Sequence, residues 1–209
     1  MINFENVLRS VPGYILDPAG TYEKNRDEGY SYAIATLVIP YAAIFILSGL
    51  LMAINDIFTG RPIYYAQFLF QSMGIYSLVI YSIQIPVIVF VIHCASKLEN
   101  RNAKFIDSFK ISLTGYTFYI FLIGVYTLIN SLLIIFDMNT ITLSLFIGYP
   151  FFILMLLLFV RVSAEGIKVL HGLSGLKSYA IAIIAASTAY FIIYLGNSWI
   201  MAIFQFINF

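Results

Sequence analysis

The side chains able to do chemistry in this sequence are few. There is one cysteine, Cys94, and there are two histidines, His93 and His171. His93 and Cys94 are adjacent, so on a helix they point roughly 100° apart and do not face one metal ion. A lone cysteine makes neither an internal disulfide nor a thiolate cluster. His93 reads as a hydrogen-bonded or interfacial side chain rather than a ligand. The sequence has no phosphate-binding glycine loop, no His-Glu-x-x-His helix and no EF-hand loop. Catalysis inside a membrane would need paired acids, a serine with a base, or a metal. The combination that would supply it is convergence of His93, Asp107 and Glu165 in one pocket. No catalytic residue, metal site or cofactor is expected, and the chain is read as non-enzymatic.

The composition says what surrounds these residues. Of 209 residues, 61% are hydrophobic and 10% are charged, against roughly 25% charged in an ordinary soluble domain. The mean hydropathy is +0.93. A polar shell cannot be drawn around so much apolar surface, which argues against a water-soluble enzyme and a disordered chain. The formal net charge of +1 gives no footprint for nucleic acid. The expected partner is the lipid bilayer, and the expected location is the cell membrane, crossed several times.

Charged residues bound five uncharged runs. They lie between Glu28 and Asp56 (27 residues), Arg61 and Lys97 (35), Lys110 and Asp137 (26), Asp137 and Arg161 (23), and after Lys177 (32). A helical span needs about 20 apolar residues. Each run therefore holds one span, expected at 32–54, 75–95, 109–135, 141–162 and 179–201, with 61–74 lying at the interface. The runs are continuous and do not alternate as barrel strands do, so the expected fold is an all-α bundle. Ten of the eleven Lys and Arg residues fall on one side of such a bundle and Arg61 alone on the other. The positive-inside rule then places the amino terminus in the cytoplasm and the carboxyl terminus outside. The first 29 residues hold eight charges and no apolar run, so the first span is expected to act as the targeting signal.

Residues 1–31 form a cytoplasmic segment, and 32–209 the five-span membrane domain. In the segment Phe4, Val7, Leu8 and Val11 recur at helical spacing. They predict a short amphipathic helix ended by Pro12-Gly13, lying either flat on the membrane or as a cap on the bundle. Asn102 is a candidate N-cap for the third span, and Ser174 for the fifth. The fourth helix should run through Glu165-Gly166-Ile167-Lys168 and stop at His171-Gly172, where glycine takes a left-handed conformation. Pro40, Pro86 and Pro150 predict kinks.

No ionisable group falls centrally within a span; Asp56 and Asp137 are expected at span ends near water. Gln84, Asn130, Ser131, Ser187 and Thr188 can hydrogen-bond across helices, and Ala182, Ala185, Ala186 and Ala189 allow close helix approach. That small-residue face serves packing within one bundle or between copies in a homo-oligomer. Gln84 either lines a polar cavity or satisfies the carbonyl freed by Pro86. Tyr30, Tyr32, Tyr64, Tyr65, Tyr179 and Trp199 read as interface anchors.

Taken together, the five spans, the cytoplasmic amino terminus and residues 161–185 resemble the Yip (Ypt-interacting protein) domain family. The carrying residues are Gly166, Lys168, His171, Gly172, Ser174 and Lys177, with Gly115 and Tyr116 in the third span. Eukaryotic members carry an acidic-aromatic-glycine-proline motif that Leu16-Asp17-Pro18-Ala19-Gly20 matches only loosely, and a proline where this chain has Ile123. The resemblance is thus to prokaryotic-type members, a class without an established biochemical role, and the Rab GTPase binding of eukaryotic members is not carried over. It implies a non-enzymatic protein that organises or shapes the membrane, or scaffolds a membrane-protein partner. Lys97, Arg101, Lys104 and Glu165 would form its cytoplasmic lipid or partner face, or the basic ones would simply fix topology. The alternative is a transport or channel component acting as an oligomer.

Overall fold

A computed structural model describes residues 4–60, 64–135 and 140–207, with side chains described over most of 5–60, 82–119 and 150–195. Among the described residues every element is α-helical. Two short helices, α1 (Phe4–Leu16) and α2 (Pro18–Lys24), precede five long ones. These are α3 (Tyr30–Thr59), α4 (Tyr64–Glu99), α5 (Phe105–Ile135), α6 (Thr140–His171) and α7 (Gly175–Ile207). The long helices have 30 to 36 residues, about 45–54 Å each at 1.5 Å per residue. Each contains one predicted apolar segment and overruns it. The stretch expected at an interface is already helical from Tyr64.

Two of the long helices contain a described stretch long and apolar enough to cross a membrane, Ser82–Glu99 in α4 and Gly175–Ile192 in α7. Only 28% of each stretch is buried inside the bundle. Large apolar side chains such as Leu50, Phe90, Leu157 and Ile183 point outward, while Thr36, Gln84, Ser112 and Thr117 are enclosed. The interior is still apolar, built on Ile88, Ile92, Ile111, Phe159, Val162 and Ile167, so apolar side chains cover both the inside and much of the outside of the bundle.

The centre of the bundle is α5. From Ile111 to Phe118 every residue is buried, because α3, α4 and α6 all pack against this helix. A helix surrounded on all sides needs no apolar stripe. At Gly115, α5 and α6 come so close that a Cβ would lie 2.6 Å from Ser163 Oγ. Helix α7 closes the bundle against α4 and α6. Its Ala182, Ala185 and Ala186 are buried in the core, so the small-residue face is used within the chain.

The amino-terminal segment packs as a cap on one end of the bundle, α2 against α6 and α1 against α2 and α3. Helix α1 continues through Pro12-Gly13 to Leu16 instead of stopping there. Pro12 lies on the exposed side, as does Leu8, whose carbonyl loses its helical N–H partner to the proline. The break comes at Asp17-Pro18, since a residue before proline is pushed out of the helical region. Asp17 has φ −138° and accepts the Gly20 N–H at 3.1 Å as N-cap of α2. The buried stripe is also rotated from expectation: Val7, Ser10 and Tyr14 face inward and Leu8 outward. Tyr14 meets Tyr22 edge-on at 4.8 Å, and Asn25 Nδ2 donates to Ser10 Oγ and Tyr14 Oη. These contacts select the face.

Candidate functional site

The capped end of the bundle gathers most of the residues singled out by the sequence. Helix α6 overruns its apolar segment by nine residues and ends as expected at His171. Gly172 follows in the left-handed region (φ +67°), a conformation open to glycine because it lacks Cβ. Ser174 takes the position before α7, and its carbonyl accepts the Ser178 N–H at 3.0 Å.

His171 is almost completely buried and ties three helices together. Its Nε2 lies 3.0 Å from Ser108 Oγ on α5, and the same hydroxyl lies 3.4 Å from His93 Nδ1 on α4. His171 Nδ1 is buried and has no hydrogen-bond partner. Two tautomer sets make both bonds; the one with Nε2–H donating to Ser108 and the hydroxyl proton on His93 leaves Nδ1 a bare lone pair, whereas the other strands a buried N–H. Protonation would strand an N–H in the core. Burial, with His93 adding to it, accordingly lowers the His171 pKa to about 4. The carbonyl of His171 accepts from Asn100 Nδ2 at 2.7 Å, and Asn100 Oδ1 accepts the Asn102 N–H at 3.0 Å. Asn100 therefore organises the α4–α5 turn. Asn102 does not cap α5, which starts three residues later.

Gly166 has a packing role. A Cβ there would lie 2.7 Å from Tyr22 Cζ and 2.9 Å from Ile111 Cγ1, so the missing side chain is what admits the cap. Lys110, buried on α5, donates to the Arg26 carbonyl at 2.6 Å and fastens the segment after α2. Lys168 pairs with Glu165 at 3.3 Å, and Lys177 pairs with Glu99 across the α7–α4 seam. Lys97, Arg101 and Lys104 are exposed. Burial raises the Asp107 pKa against the pull of Lys110, Lys104 and Arg26. Thus Glu165 goes to Lys168, Asp107 faces lysines and His93 faces Ser108; the three do not form a common pocket.

Farther along the helices one polar junction stands out. Gln84, fully buried, donates from Nε2 to the Ala189 carbonyl at 2.7 Å and accepts from Tyr116 Oη. It thereby joins α4, α5 and α7, a bridging role beyond the cavity and Pro86 alternatives. Thr117 Oγ1 joins α5 to α3 through the Thr36 carbonyl at 3.0 Å. Thr188 bonds within its own helix to Ile184 and Ser187 is exposed, so neither bridges helices; that side of α7 faces away from its neighbours. The side chains of Asn130 and Ser131 lie outside the described residues.

Beside the Gln84 junction, α5, α6 and α7 leave a small cleft of about 20 Å³ walled by Tyr116, Tyr119, Phe152, Phe159 and Tyr190. Two other expectations change. Tyr32 is buried under the cap with Val7 and Ala35, not set at an interface, whereas Tyr30 and Tyr179 are exposed. Asp56 is buried on the last turn of α3 instead of facing water. Asp137 and the side chains of Tyr64, Tyr65 and Trp199 lie outside the described residues.

Asn100 and Asn102 suit a tight helix–helix turn by residue type, and Asn100 does organise it; Ser108 and Tyr22 carried no distinguishing sequence signal. Ser108 meets a histidine 63 positions away, and nothing local announces such a pairing. Comparison with known proteins returned no matching family model, no curated protein and no solved structure.

Proposed function

We infer that this chain is a non-enzymatic, multi-pass membrane protein, with all five long helices crossing the bilayer and the capped end in the cytoplasm. Its role is to organise or shape the membrane, or to scaffold a membrane-protein partner, through that end. The observation carrying the reading is the large apolar side chains left on the outside of a bundle whose apolar core also encloses hydroxyl and amide groups. In lipid this arrangement is favourable, because polar groups must find partners inside the protein. The clustering of ten of eleven Lys and Arg residues toward one side supports the orientation. The family reading rests on the resemblance of residues 161–185 and of Gly115-Tyr116 to the Yip domain.

The transport alternative loses its principal residue, because both ends of the Gln84 amide are engaged. A reporter fused after Phe209 is expected to be active only outside the cytoplasm, and the purified chain to require detergent. Cytosolic reporter activity, or a monodisperse protein without detergent, overturns the reading. Selective solute flux in liposomes, abolished by Gln84→Leu, would replace the scaffold by a transporter.

A further inference from the structure

We propose that the rim formed by the α4–α5 turn and the first turn of α7 is a binding surface for anionic phospholipid of the inner leaflet. The inference rests on the membrane orientation given above. Two leucines dominate the rim. Leu98 on the last turn of α4 is 89% exposed and Leu176 on the first turn of α7 is 86% exposed. The Lys177–Glu99 ion pair joins the residues next to them, which places the leucines on adjoining helix ends. Phe105, half exposed, extends the apolar edge to α5, where its ring meets His93 at 5.3 Å.

Around this edge stand Lys97, Arg101, Lys104 and Lys177. The carboxylates nearby are Glu99, taken by Lys177, and half-buried Asp107, shared by Lys104, Lys110 and Arg26. Lys97 and Arg101 form no ion pair among the described residues. The other side of the same end balances itself, with Arg9 on Glu5, Arg26 on Glu23 and Lys168 on Glu165. The cationic surplus therefore belongs to the rim that also carries the exposed leucines.

Depth selects the occupant. Leu98 and Leu176 each lie three residues beyond an expected span end, about 4.5 Å of helix rise, which is headgroup level. There a leucine enters the upper acyl layer while lysine and arginine stems lie along it and reach phosphate. A lipid with a net negative headgroup satisfies both parts of the surface.

The test is lipid competition on the detergent-purified full chain, with retained lipid read by native mass spectrometry from an equimolar phosphatidylglycerol and phosphatidylcholine mixture. Wild type is expected to retain phosphatidylglycerol about tenfold over phosphatidylcholine, with the preference falling in high salt. Lys97→Gln/Arg101→Gln/Lys104→Gln should remove the preference. Because those charges also bear on topology, Leu98→Ser/Leu176→Ser, with every charge intact, provides a second arm; it should weaken phosphatidylglycerol retention severalfold. Equal retention of the two lipids by wild type, or an unchanged preference in both variants, overturns the proposal. Displacement of phosphatidylglycerol by an acidic amphipathic peptide overturns it in favour of a protein partner. A chain that needs detergent yet shows no preference refutes the rim alone; one that needs no detergent refutes the membrane reading itself.

Discussion

At the capped end, helices α4, α5 and α6 are fastened by a chain of directional bonds: His93 to Ser108 to His171, with Asn100 on the His171 carbonyl and Lys110 on the Arg26 carbonyl. About 14 Å farther along α4, at Gln84, the helices meet through that amide, the Thr117–Thr36 bond, and otherwise through alanines, aromatic rings and the close approach at Gly115. In the membrane placement proposed above, the contrast would follow from the surroundings. Lipid tails are as apolar as leucine, so at depth apolar contact hardly distinguishes a neighbouring helix from solvent, and shape and isolated hydrogen bonds decide the packing. At the capped end, nearer to water, the packing is instead fixed by a hydrogen-bond network among Ser108, His171, Asn100 and Lys110.

The largest effect that separates the two regions is pH. His171 has a folded pKa lowered to about 4, below its ordinary value near 6.5. Between these values the unfolded chain binds the proton and the folded chain does not. Stability therefore falls as pH drops from about 6.5 to about 4, by roughly 3 kcal/mol. Unfolding in mixed micelles across that window should show the loss in wild type and not in His171→Gln. Parallel profiles would place the pH response elsewhere.

Next comes Gly166→Leu, which drives a side chain into Tyr22 and Ile111. Overpacking of this kind costs about 2–3 kcal/mol. It should release the cap, seen as protease cleavage between Asp17 and Gly29 while α4 to α7 stay protected. An unchanged cleavage pattern would show that the cap does not depend on this contact.

At depth, Gln84→Leu removes both bonds of the junction and should cost about 1–2 kcal/mol. A double-mutant cycle with Tyr116→Phe should give a coupling energy; strict additivity would mean that the two side chains do not cooperate. The smallest effect is expected at the exposed Lys177–Glu99 pair. Lys177→Gln should change stability by less than about 1 kcal/mol. A larger loss would bring that seam into the same class as the His171 network.

The sequence alone determined the number and approximate place of the five long helices, because charged residues are too costly to lie in apolar runs and therefore mark their limits. The stop at His171-Gly172 was legible for a similarly local reason, the freedom of glycine at positive φ. The end of α1 was not: Pro12 looked terminal, yet it lies on an exposed face, and the break waits for Asp17-Pro18. Only the tertiary structure decided that Ser108 bridges two histidines, that Gly166 admits Tyr22, that Gln84 reaches the α7 backbone and that Tyr32 and Asp56 are buried. Each of those facts depends on how helices distant in sequence are rotated against one another. In a chain apolar on nearly every face, hydrophobic periodicity carries almost no record of that rotation.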